Sequence, residues 1–371
     1  MPQYKKKPRK LHAKLASWPL DESFRKDWLN LYELMAIPSV FCRLEWLETG
    51  VEMYNCIAKV LPYRFFDSAG KLQAMGLFRL EKEPGKFTAN RVLRTIEYNS
   101  QRIVPIIAAS ISQMAEAIAA LTYSSGFRVD YLDFYKLDPM ETGLEELTSK
   151  LSTAGIPFTS EIFNEQPQFR LETTWDKYLA DRTQGHRKKI RRYTSKLKEN
   201  FPDYTFTRLR DPQDYIDYGT DRVLDMIMHF FDQSWQADAL KSVEGQRLDN
   251  LKEFYERIAR KFIPMGMLDV CLLEADSTLI AFELNLCEVG NLSMLLGSYD
   301  KEYANYSPGN AILSELLQDS FLRNDLVVDL GGEFLSYKKL WTKASINSYH
   351  LRIYGNTLKA KLKKWLKKYR S

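Results

Sequence analysis

The chain has 371 residues, of which 45% are hydrophobic, 27% charged and 13% aromatic. This length exceeds what one ordinary hydrophobic core needs, and the composition excludes a disordered, collagen-like or disulfide-scaffold protein. The formal net charge is +5, but residues 1–14 carry six Lys or Arg, residues 352–371 carry eight, and neither segment has an acidic residue. The remaining chain has 39 basic and 48 acidic residues. We therefore expect an acidic body with basic ends.

Cysteine and histidine positions exclude the common metal motifs. The four cysteines and four histidines show no spacing typical of a zinc site, so we expect no metal and a reducing, cytoplasmic compartment. Charged residues interrupt any signal-peptide core near the start of the chain. The most apolar stretch, residues 103–127, contains a proline and a glutamate, which favours a buried strand followed by a core helix over a membrane span.

The first half of the chain alternates helical and strand-like patterns. Helices are predicted at 21–35, 39–59, 110–121 and 142–154, and strands at 64–81 with a turn at 68–70, 92–100, 102–107, 129–137, 158–163 and 169–172. This alternation indicates an α/β or α+β fold with helices packed on a mixed sheet.

A strongly basic helix is predicted at residues 182–199, where Ile190, Tyr193 and Leu197 form one apolar line. We expect it to mark a domain junction. The second half then predicts helices at 212–235 and 247–262, a three-stranded meander at 268–300, a helix at 311–322, a strand at 326–332, a short helix at 335–342 and a last strand at 349–355.

This order of elements, taken with particular residues, resembles the GNAT acyltransferase superfamily. The matching residues are 44–47, 187–193, 297–300, 303, 306–309, 328–332, 337–338 and 341. Within the superfamily the chain looks like the CelD-type, or cellulose-biosynthesis-type, acetyltransferases, whose architecture is related to that of the FemAB aminoacyl transferases. The resemblance covers about residues 20–356.

The resemblance implies an α/β fold with a mixed sheet and two tandem GNAT-like domains, the second of which transfers an acyl group from a thioester. The predicted parts are a basic tail at 1–19, a GNAT-like domain at 20–180, a basic linker helix at 181–199, a catalytic GNAT domain at 200–356 and a basic amphipathic tail at 357–371.

A candidate donor site lies where the helix at 311–322 begins. Ser307, Pro308, Gly309 and Asn310 lead into this helix, and the unpaired N–H groups of a helix N-terminus attract phosphate. The resemblance implies contact with the diphosphate of acetyl-CoA or a longer acyl-CoA. However, the usual R/Q-x-x-G-x-G/A signature is absent, since the loop has one glycine and neither Arg nor Gln. The alternative is that Ser307 and Pro308 only cap the helix.

Acyl transfer to an amine requires an unprotonated nitrogen, whereas an ordinary amine with a pKa near ~10.4 is protonated at neutral pH. Candidate bases are Glu283 on the second meander strand and Asp300 after the third. Tyr303 and Tyr306 are candidate proton donors to the departing thiolate. The alternatives are an exposed strand carboxylate for Glu283, an Asx turn for Asp300 and simple packing for the tyrosines.

Candidate acceptor residues follow in two places. Asp329 lies in an apolar strand, where burial is costly without a partner, and Lys338 is the candidate partner. This pair either lines the acceptor site or is structural. Arg187 and Arg191 of the basic helix are candidates for binding a phosphate-bearing acceptor or a membrane surface, and the alternative is a solvated helix face.

We expect a cytoplasmic acyl-CoA-dependent acyltransferase, without a nucleic-acid partner, that acts on an amine. The acceptor is a small molecule, a sugar or a lipid such as a sphingoid base. In residues 357–371 the apolar side chains lie on one face of a basic helix, which predicts adsorption to an anionic membrane or packing on the protein itself. Two alternatives remain: a FemAB-like transferase using charged tRNA, and a non-catalytic membrane- or polymer-binding protein on a degenerate GNAT fold.

Overall fold

The structure is a computed structural model that describes residues 11–53, 59–85, 89–98, 101–123, 129–234, 237, 248–332 and 334–355. The chain divides into two compact units. Unit 1 consists of Met1–Glu165 and Ile346–Ser371, and unit 2 consists of Gln166–Ser345. Along the chain, unit 2 is therefore inserted between two parts of unit 1.

Helices and strands alternate along the chain. The helices are α1 (Glu22–Glu33), α2 (Leu44–Met53), α3 (Ile111–Tyr123), α4 (Leu144–Thr153), α5 (Trp175–Ala180), α6 (Gln184–Asn200), α7 (Pro212–Tyr218), α8 (Thr220–Asp232), α9 (Leu248–Phe262) and α10 (Pro308–Leu322). The strands are β1 (His12–Leu15), β2 (Lys59–Phe66), β3 (Leu72–Glu83), β4 (Asn90–Thr95), β5 (Ile107–Ala108), β6 (Tyr131–Leu137), β7 (Phe158–Arg170), β8 (Thr205–Leu209), β9 (Leu268–Ala275), β10 (Thr278–Glu288), β11 (Asn291–Tyr299), β12 (Val327–Asp329) and β13 (Ser345–Tyr354). Short 3-10 helices lie at Val40–Cys42, Lys301–Tyr306 and Lys338–Leu340.

The strands of unit 1 form a mixed sheet in the order β1-β2-β3-β4-β6-β13, with β5 beside β3. β4 and β6 are parallel, and the other neighbours are antiparallel. Phe78 and Phe134 are fully buried and stack with their ring centroids 6.2 Å apart. Asp133 precedes Phe134 and therefore points to the opposite face. There it accepts hydrogen bonds from Arg352 and His350, so this face carries a charge network.

The strands of unit 2 follow the order β7-β12-β11-β10-β9-β8. β9, β10 and β11 form the predicted antiparallel meander, and β11 pairs with β12 in parallel. The predicted apolar line of α6, formed by Ile190, Tyr193 and Leu197, is buried in one cluster with α10. Phe230 of α8 contacts Phe282 on the other side of the sheet, with 5.7 Å between ring centroids. Both faces of the meander are thus covered.

The two units differ from the predicted domains at 20–180 and 200–356. The predicted linker helix lies inside unit 2, because the apolar line of α6 is buried against α10. Strand β13 belongs to unit 1, because it pairs with β6. Both assignments depend on contacts between segments that are far apart in the sequence.

The predicted strands at 158–163 and 169–172 are one continuous strand, β7. In the structure, the Ser348 hydroxyl donates to Asn164, and the Leu330 N–H donates to the carbonyl of Pro167 at 2.9 Å. These contacts keep the intervening residues extended, so the prediction of two short strands was wrong.

Other elements also have different bounds. The predicted helix at 212–235 is two helices, α7 and α8, because Gly219 between them has a φ of +92° that ends α7. The predicted strand at 102–107 is reduced to an isolated bridge at Ile103 and the two residues of β5. Strands β1 and β8 and helix α5 were not predicted, since each has six residues or fewer and shows no clear period.

A buried charge network connects β8 with β9 and with the segment after α10. Arg208 Nε lies 2.9 Å from Asp269 Oδ2, and both side chains are almost fully buried. Arg208 also lies 2.8 Å from Asp319, and Arg210 donates to Asp325 through two nitrogens at 2.7 and 2.8 Å. Because each arginine faces carboxylates, the cost of burying these charges is compensated. The network holds the edge strand β8 in place.

In the part of the chain that the structure describes, no helix combines the length and the apolar composition needed to cross a bilayer. The apolar stretch at 103–127 contains β5 and then α3, which has 13 residues. A transmembrane helix needs about 20 residues. The predicted amphipathic tail at 357–371 lies outside the described residues, as do residues 1–10.

Candidate active site

The sheet of unit 2 opens where β11 and β12 separate. The two strands pair in parallel over Asn291–Val327, Leu292–Val328 and Ser293–Asp329. β12 then ends at Asp329, whereas β11 continues to Tyr299. Over the last part of β11, the side of the strand away from β10 therefore has no β12 neighbour.

A β-bulge in β11 increases the separation between β11 and β12. Leu296 pairs with Leu284 and Met294 pairs with Asn285, so Leu295 is the extra residue on β11. An extra residue bends its strand and increases the local twist. The opening between β11 and β12 thus follows from the pairing register of β11 with β10.

Glu283 lies beside this opening. It pairs with Gly297 on β11 and with Cys271 on β9. Gly297 makes room for the Glu283 carboxyl group, since a Cβ atom at position 297 would overlap it. The side chain is partly buried, and none of the described residues donates a hydrogen bond to it. This differs from the exposed strand carboxylate that was the alternative expectation.

Burial raises the pKa of Glu283 from 4.5 to about 8, against the opposing effect of the Lys338 charge. Burial, together with the charge of Glu283, raises the pKa of Tyr337 to about 12. A carboxyl group whose pKa lies close to working pH can both accept and return a proton. The arrangement has the chemistry of a general base.

We expect the pH dependence of stability to report this pKa. Because folding raises the pKa of Glu283, the stability linked to its protonated form is fully present below about pH 4.5 and is lost as the pH rises through about 8. Glu283→Gln removes the ionisation. Relative to the native chain, its free energy of unfolding should therefore increase by about 4 kcal/mol between pH 5 and pH 8.5, as measured by urea unfolding. Glu302→Gln at an exposed position is the control, and equal pH profiles for all three proteins would contradict the prediction.

Asp300 and the two candidate tyrosines have structural contacts. The Asp300 side chain accepts a hydrogen bond from the Glu302 N–H at 2.8 Å, which is the Asx turn of the alternative interpretation. The rings of Tyr303 and Tyr306 pack on Phe201, with centroid distances of 5.6 and 4.9 Å. These contacts favour packing for both tyrosines, and their proposed proton transfer remains a prediction.

The loop before α10 offers fewer donors than the sequence suggested. Ser307 is the N-cap with a φ of +58°, and its side chain makes no capping hydrogen bond. The N–H groups of Asn310 and Ala311 both donate to the Ser307 carbonyl at 3.0 Å. Pro308 has no N–H, which leaves the Gly309 N–H without an acceptor among the described residues. A diphosphate would therefore meet one free backbone donor and the Ser307 hydroxyl.

Asp329 and Lys338 both bind the turn that follows β12. Asp329 accepts a hydrogen bond from the Gly331 N–H at 2.8 Å, and the Lys338 ammonium donates to the Gly331 carbonyl. Gly331 and Gly332 have φ values of +66° and +50°, which favour glycine. Both side chains are buried, so this turn is held from both sides.

Arg187 and Arg191 both lie on the basic helix α6, but their surroundings differ. Arg187 donates to the carbonyls of Ala180 and Arg182 at 3.1 and 2.5 Å, and so closes the end of α5. Arg191 is exposed, like its neighbours Lys188, Lys189 and Arg192. The structure thus gives Arg187 a capping role and leaves Arg191 on the solvated face.

Two residues of the site had no assigned role in the sequence. Gly297 and Tyr337 belong to the residues that carry the resemblance, and the hairpin register of β10 and β11 identifies Gly297 as the neighbour of Glu283. Within the described ranges, no cluster of three or more His, Cys, Asp or Glu side chains is arranged to hold a metal ion.

Comparison with known families bears directly on unit 2. Residues 184–339 match the family model described as acetyltransferase (GNAT) domain. This segment is similar to a GNAT acetyltransferase domain. Through this domain the protein is an acyltransferase. The GNAT domain contains Glu283, the loop before α10, Asp329 and Lys338. No curated protein matches the chain in sequence.

Solved structures share the fold over nearly the whole chain. FemX has a TM-score of 0.58 at 10% identity and covers 92% of this chain and 96% of its own. A conserved protein of unknown function from Bacteroides thetaiotaomicron has a TM-score of 0.56 at 9% identity, with coverages of 91% and 99%. The C-terminal domain of a protein described as a lysylphosphatidylglycerol synthetase from Agrobacterium fabrum has a TM-score of 0.55 at 12% identity, with coverages of 92% and 94%. The predicted mixed α/β fold of tandem GNAT-like domains is confirmed.

Proposed function

We propose that this protein transfers an acyl group from an acyl-CoA thioester to an amine, with Glu283 as the general base. The observation that carries the proposal is the Glu283 carboxyl group, which lies beside the β11–β12 opening and accepts no hydrogen bond from the described residues. The acceptor is a small molecule, a sugar or a lipid-linked amine, as the sequence suggests.

The raised pKa of Glu283 suits this chemistry. An amine arrives mainly as an ammonium ion with a pKa near ~10.4. Raising the pKa of the base from 4.5 to about 8 reduces the difference between the pKa values of the amine and the base by about 3.5 units. This corresponds to roughly 5 kcal/mol of proton-transfer free energy. Proton removal then becomes feasible at neutral pH.

The reaction balances with Glu283 as the proton acceptor. Glu283 takes one proton from the ammonium ion, and the free nitrogen attacks the thioester carbonyl. The C–N bond forms, the C–S bond breaks, and the second proton lost by the nitrogen neutralises the departing thiolate. Glu283 then releases its proton to solvent, which reaches its partly buried side chain.

Binding of the donor tests the proposal at the loop before α10. Asn310→Asp adds a negative charge in the first turn of this helix, where it favours the helix but repels a diphosphate. We expect acetyl-CoA affinity to fall about tenfold, measured by calorimetry, with the melting temperature as the check that the variant is folded. Gln318→Glu makes the same charge change at an exposed position of α10 and should leave affinity unchanged. Equal affinities for the native chain and Asn310→Asp would refute this donor site.

A second candidate function is aminoacyl transfer from a charged tRNA. The exposed cations of α6, which include Lys188, Lys189, Arg191 and Arg192, favour it as a surface for nucleic-acid phosphate. The fold that this chain shares with FemX is consistent with aminoacyl transfer. Tight binding of charged tRNA with a steep salt dependence, together with no heat of binding for acetyl-CoA or octanoyl-CoA, would replace the first candidate by the second.

A further inference from the structure

Asn285 is a second polar residue on the face of β10 that carries Glu283. On β9, Glu283 pairs with Cys271, and two residues later Asn285 pairs with Asp269 in the same uninterrupted register. Alternate residues of a strand point to one face, so Glu283 and Asn285 are same-face neighbours with Cα atoms roughly 6.8 Å apart. Ala281, two residues before Glu283, belongs to the buried cluster of α6 and α10, and this face therefore lies under those helices.

The side-chain amide of Asn285 has a fixed orientation. Asn285 is fully buried, and its Nδ2 donates a hydrogen bond to Asp269 Oδ1 at 3.1 Å. The other oxygen of Asp269 accepts from Arg208 at 2.9 Å and from Arg210 at 2.6 Å. A carboxylate held between two guanidinium groups only accepts hydrogen bonds. The amide nitrogen of Asn285 must therefore face Asp269, and its carbonyl oxygen must point away from it.

This carbonyl oxygen is a buried acceptor without a donor. Among the described residues, no group donates a hydrogen bond to Asn285 Oδ1, although the side chain is shielded from solvent. A buried polar atom left unsatisfied costs about 1–3 kcal/mol. Glu283 likewise accepts no hydrogen bond from the described residues. β10 thus presents two neighbouring oxygen acceptors, and the described part of the chain supplies a donor to neither.

Two neighbouring acceptors select a ligand that donates hydrogen bonds. A primary ammonium group has three N–H donors and no acceptor, whereas a phosphate or a carboxylate offers only acceptors and is repelled by the Glu283 carboxylate. Hydrogen bonds from an ammonium to oxygen are about 2.8 Å long, so one nitrogen can join oxygens up to about 5.6 Å apart. Side chains whose Cα atoms are roughly 6.8 Å apart can place their oxygens within this span.

We propose that Asn285 is an amine-binding residue, whose Oδ1 accepts one N–H of the acceptor ammonium while Glu283 accepts another. The proposal rests on the assignment of Glu283 as the base in the proposed function. When Glu283 has taken its proton, the amine keeps two N–H groups, and one of them stays bound to Asn285. The nitrogen is therefore held in one orientation while its lone pair forms, which favours attack on the thioester.

Asn285→Leu removes the carbonyl oxygen at similar side-chain volume. The assay uses acetyl-CoA and, as the amine, whichever of glucosamine and sphinganine reacts faster with the native chain. We expect KM for the amine to rise about tenfold, because one charge-assisted hydrogen bond is lost, while the affinity for acetyl-CoA stays within about twofold.

Ser320→Ala is the matched control for damage to the buried network. Ser320 is fully buried on α10 and accepts a hydrogen bond from Arg208 at 3.0 Å, so its loss disturbs the same network away from Glu283. We expect Ser320→Ala to lower the free energy of unfolding but to keep the native KM for the amine. If Asn285 only holds a water molecule or supports the network, Asn285→Leu will also keep the native KM, and the proposal is wrong.

Methylated amines test the native chain without depending on a variant that has to fold. The N-methyl and N,N-dimethyl derivatives of the probe amine, used as competitive inhibitors, carry two and one N–H groups as ammonium ions. We expect the inhibition constant of the dimethyl derivative to be about tenfold higher in the native chain, and this difference to disappear in Asn285→Leu. Equal inhibition constants for the two derivatives in the native chain would overturn the proposal.

Glu283→Gln separates this proposal from the proposed function. If Glu283→Gln keeps native activity while Asn285→Leu raises KM for the amine, the assigned base is wrong and the amine-binding role of Asn285 stands. If Glu283→Gln is inactive and Asn285→Leu keeps the native KM, the base stands and the role of Asn285 is refuted.

Discussion

Glu283→Gln lowers kcat/KM for acyl transfer from acetyl-CoA to an amine by at least about 10²-fold, which is the contribution expected of a general base. Glutamine fits the space above Gly297 but cannot accept a proton. The ammonium form of the acceptor then has to lose its proton to water. Because Glu283 lies on β10 and is not part of the loop before α10, we expect the affinity for acetyl-CoA to stay within about twofold of the native value.

Steady-state kinetics at several pH values, with calorimetry for donor binding, check this result. The matched control is Asp300→Asn, since Asp300 accepts the Glu302 N–H and an asparagine oxygen can do the same. We expect this control to retain most of its activity. A Glu283→Gln enzyme with native kcat/KM across the pH range would eliminate Glu283 as the base. An inactive Asp300→Asn enzyme would return that carboxylate to the candidates.

Arg208→Met lowers the free energy of unfolding of the protein by about 3–5 kcal/mol. The substitution leaves the fully buried Asp269 carboxylate without one of its two arginine partners and removes the hydrogen bonds of Arg208 to Asp319 and Ser320. Removal of one member of a buried ion network is costly because the remaining charge stays dehydrated. The loss of stability should affect unit 2, since all of these residues belong to it.

Chemical unfolding of the native chain and the variant measures this effect. Arg323→Met is the matched control, because Arg323 contacts the same Asp319 at 2.6 Å but is partly exposed. An exposed pair four residues apart on a helix contributes about 0.5 kcal/mol or less. A loss below about 1 kcal/mol for Arg208→Met would mean that the network contributes little to stability.

Local patterns in the sequence predicted much of unit 2. The apolar line at Ile190, Tyr193 and Leu197 predicted both the helix α6 and its buried face. Alternating residues and turn signals predicted the meander of β9, β10 and β11. These predictions succeeded because helix and strand periods are written into neighbouring residues.

Elements that depend on distant partners were harder to predict. β7 is one strand because Ser348 and Leu330 bind its central residues, although the sequence predicted two short strands there. The role of α6 inside unit 2 depends on its packing against α10, more than a hundred residues later. Neither partner is visible in the local pattern.

The sequence by itself determined the helices and strands with clear periods, the basic face of α6 and the candidate carboxylate Glu283. Only the tertiary structure decided that this carboxylate lies over Gly297, that burial raises its pKa, and that Lys338 supplies the opposing charge. The physical reason is that a periodic pattern depends on adjacent side chains. Solvation and charge at one atom depend instead on every segment that the fold brings around it.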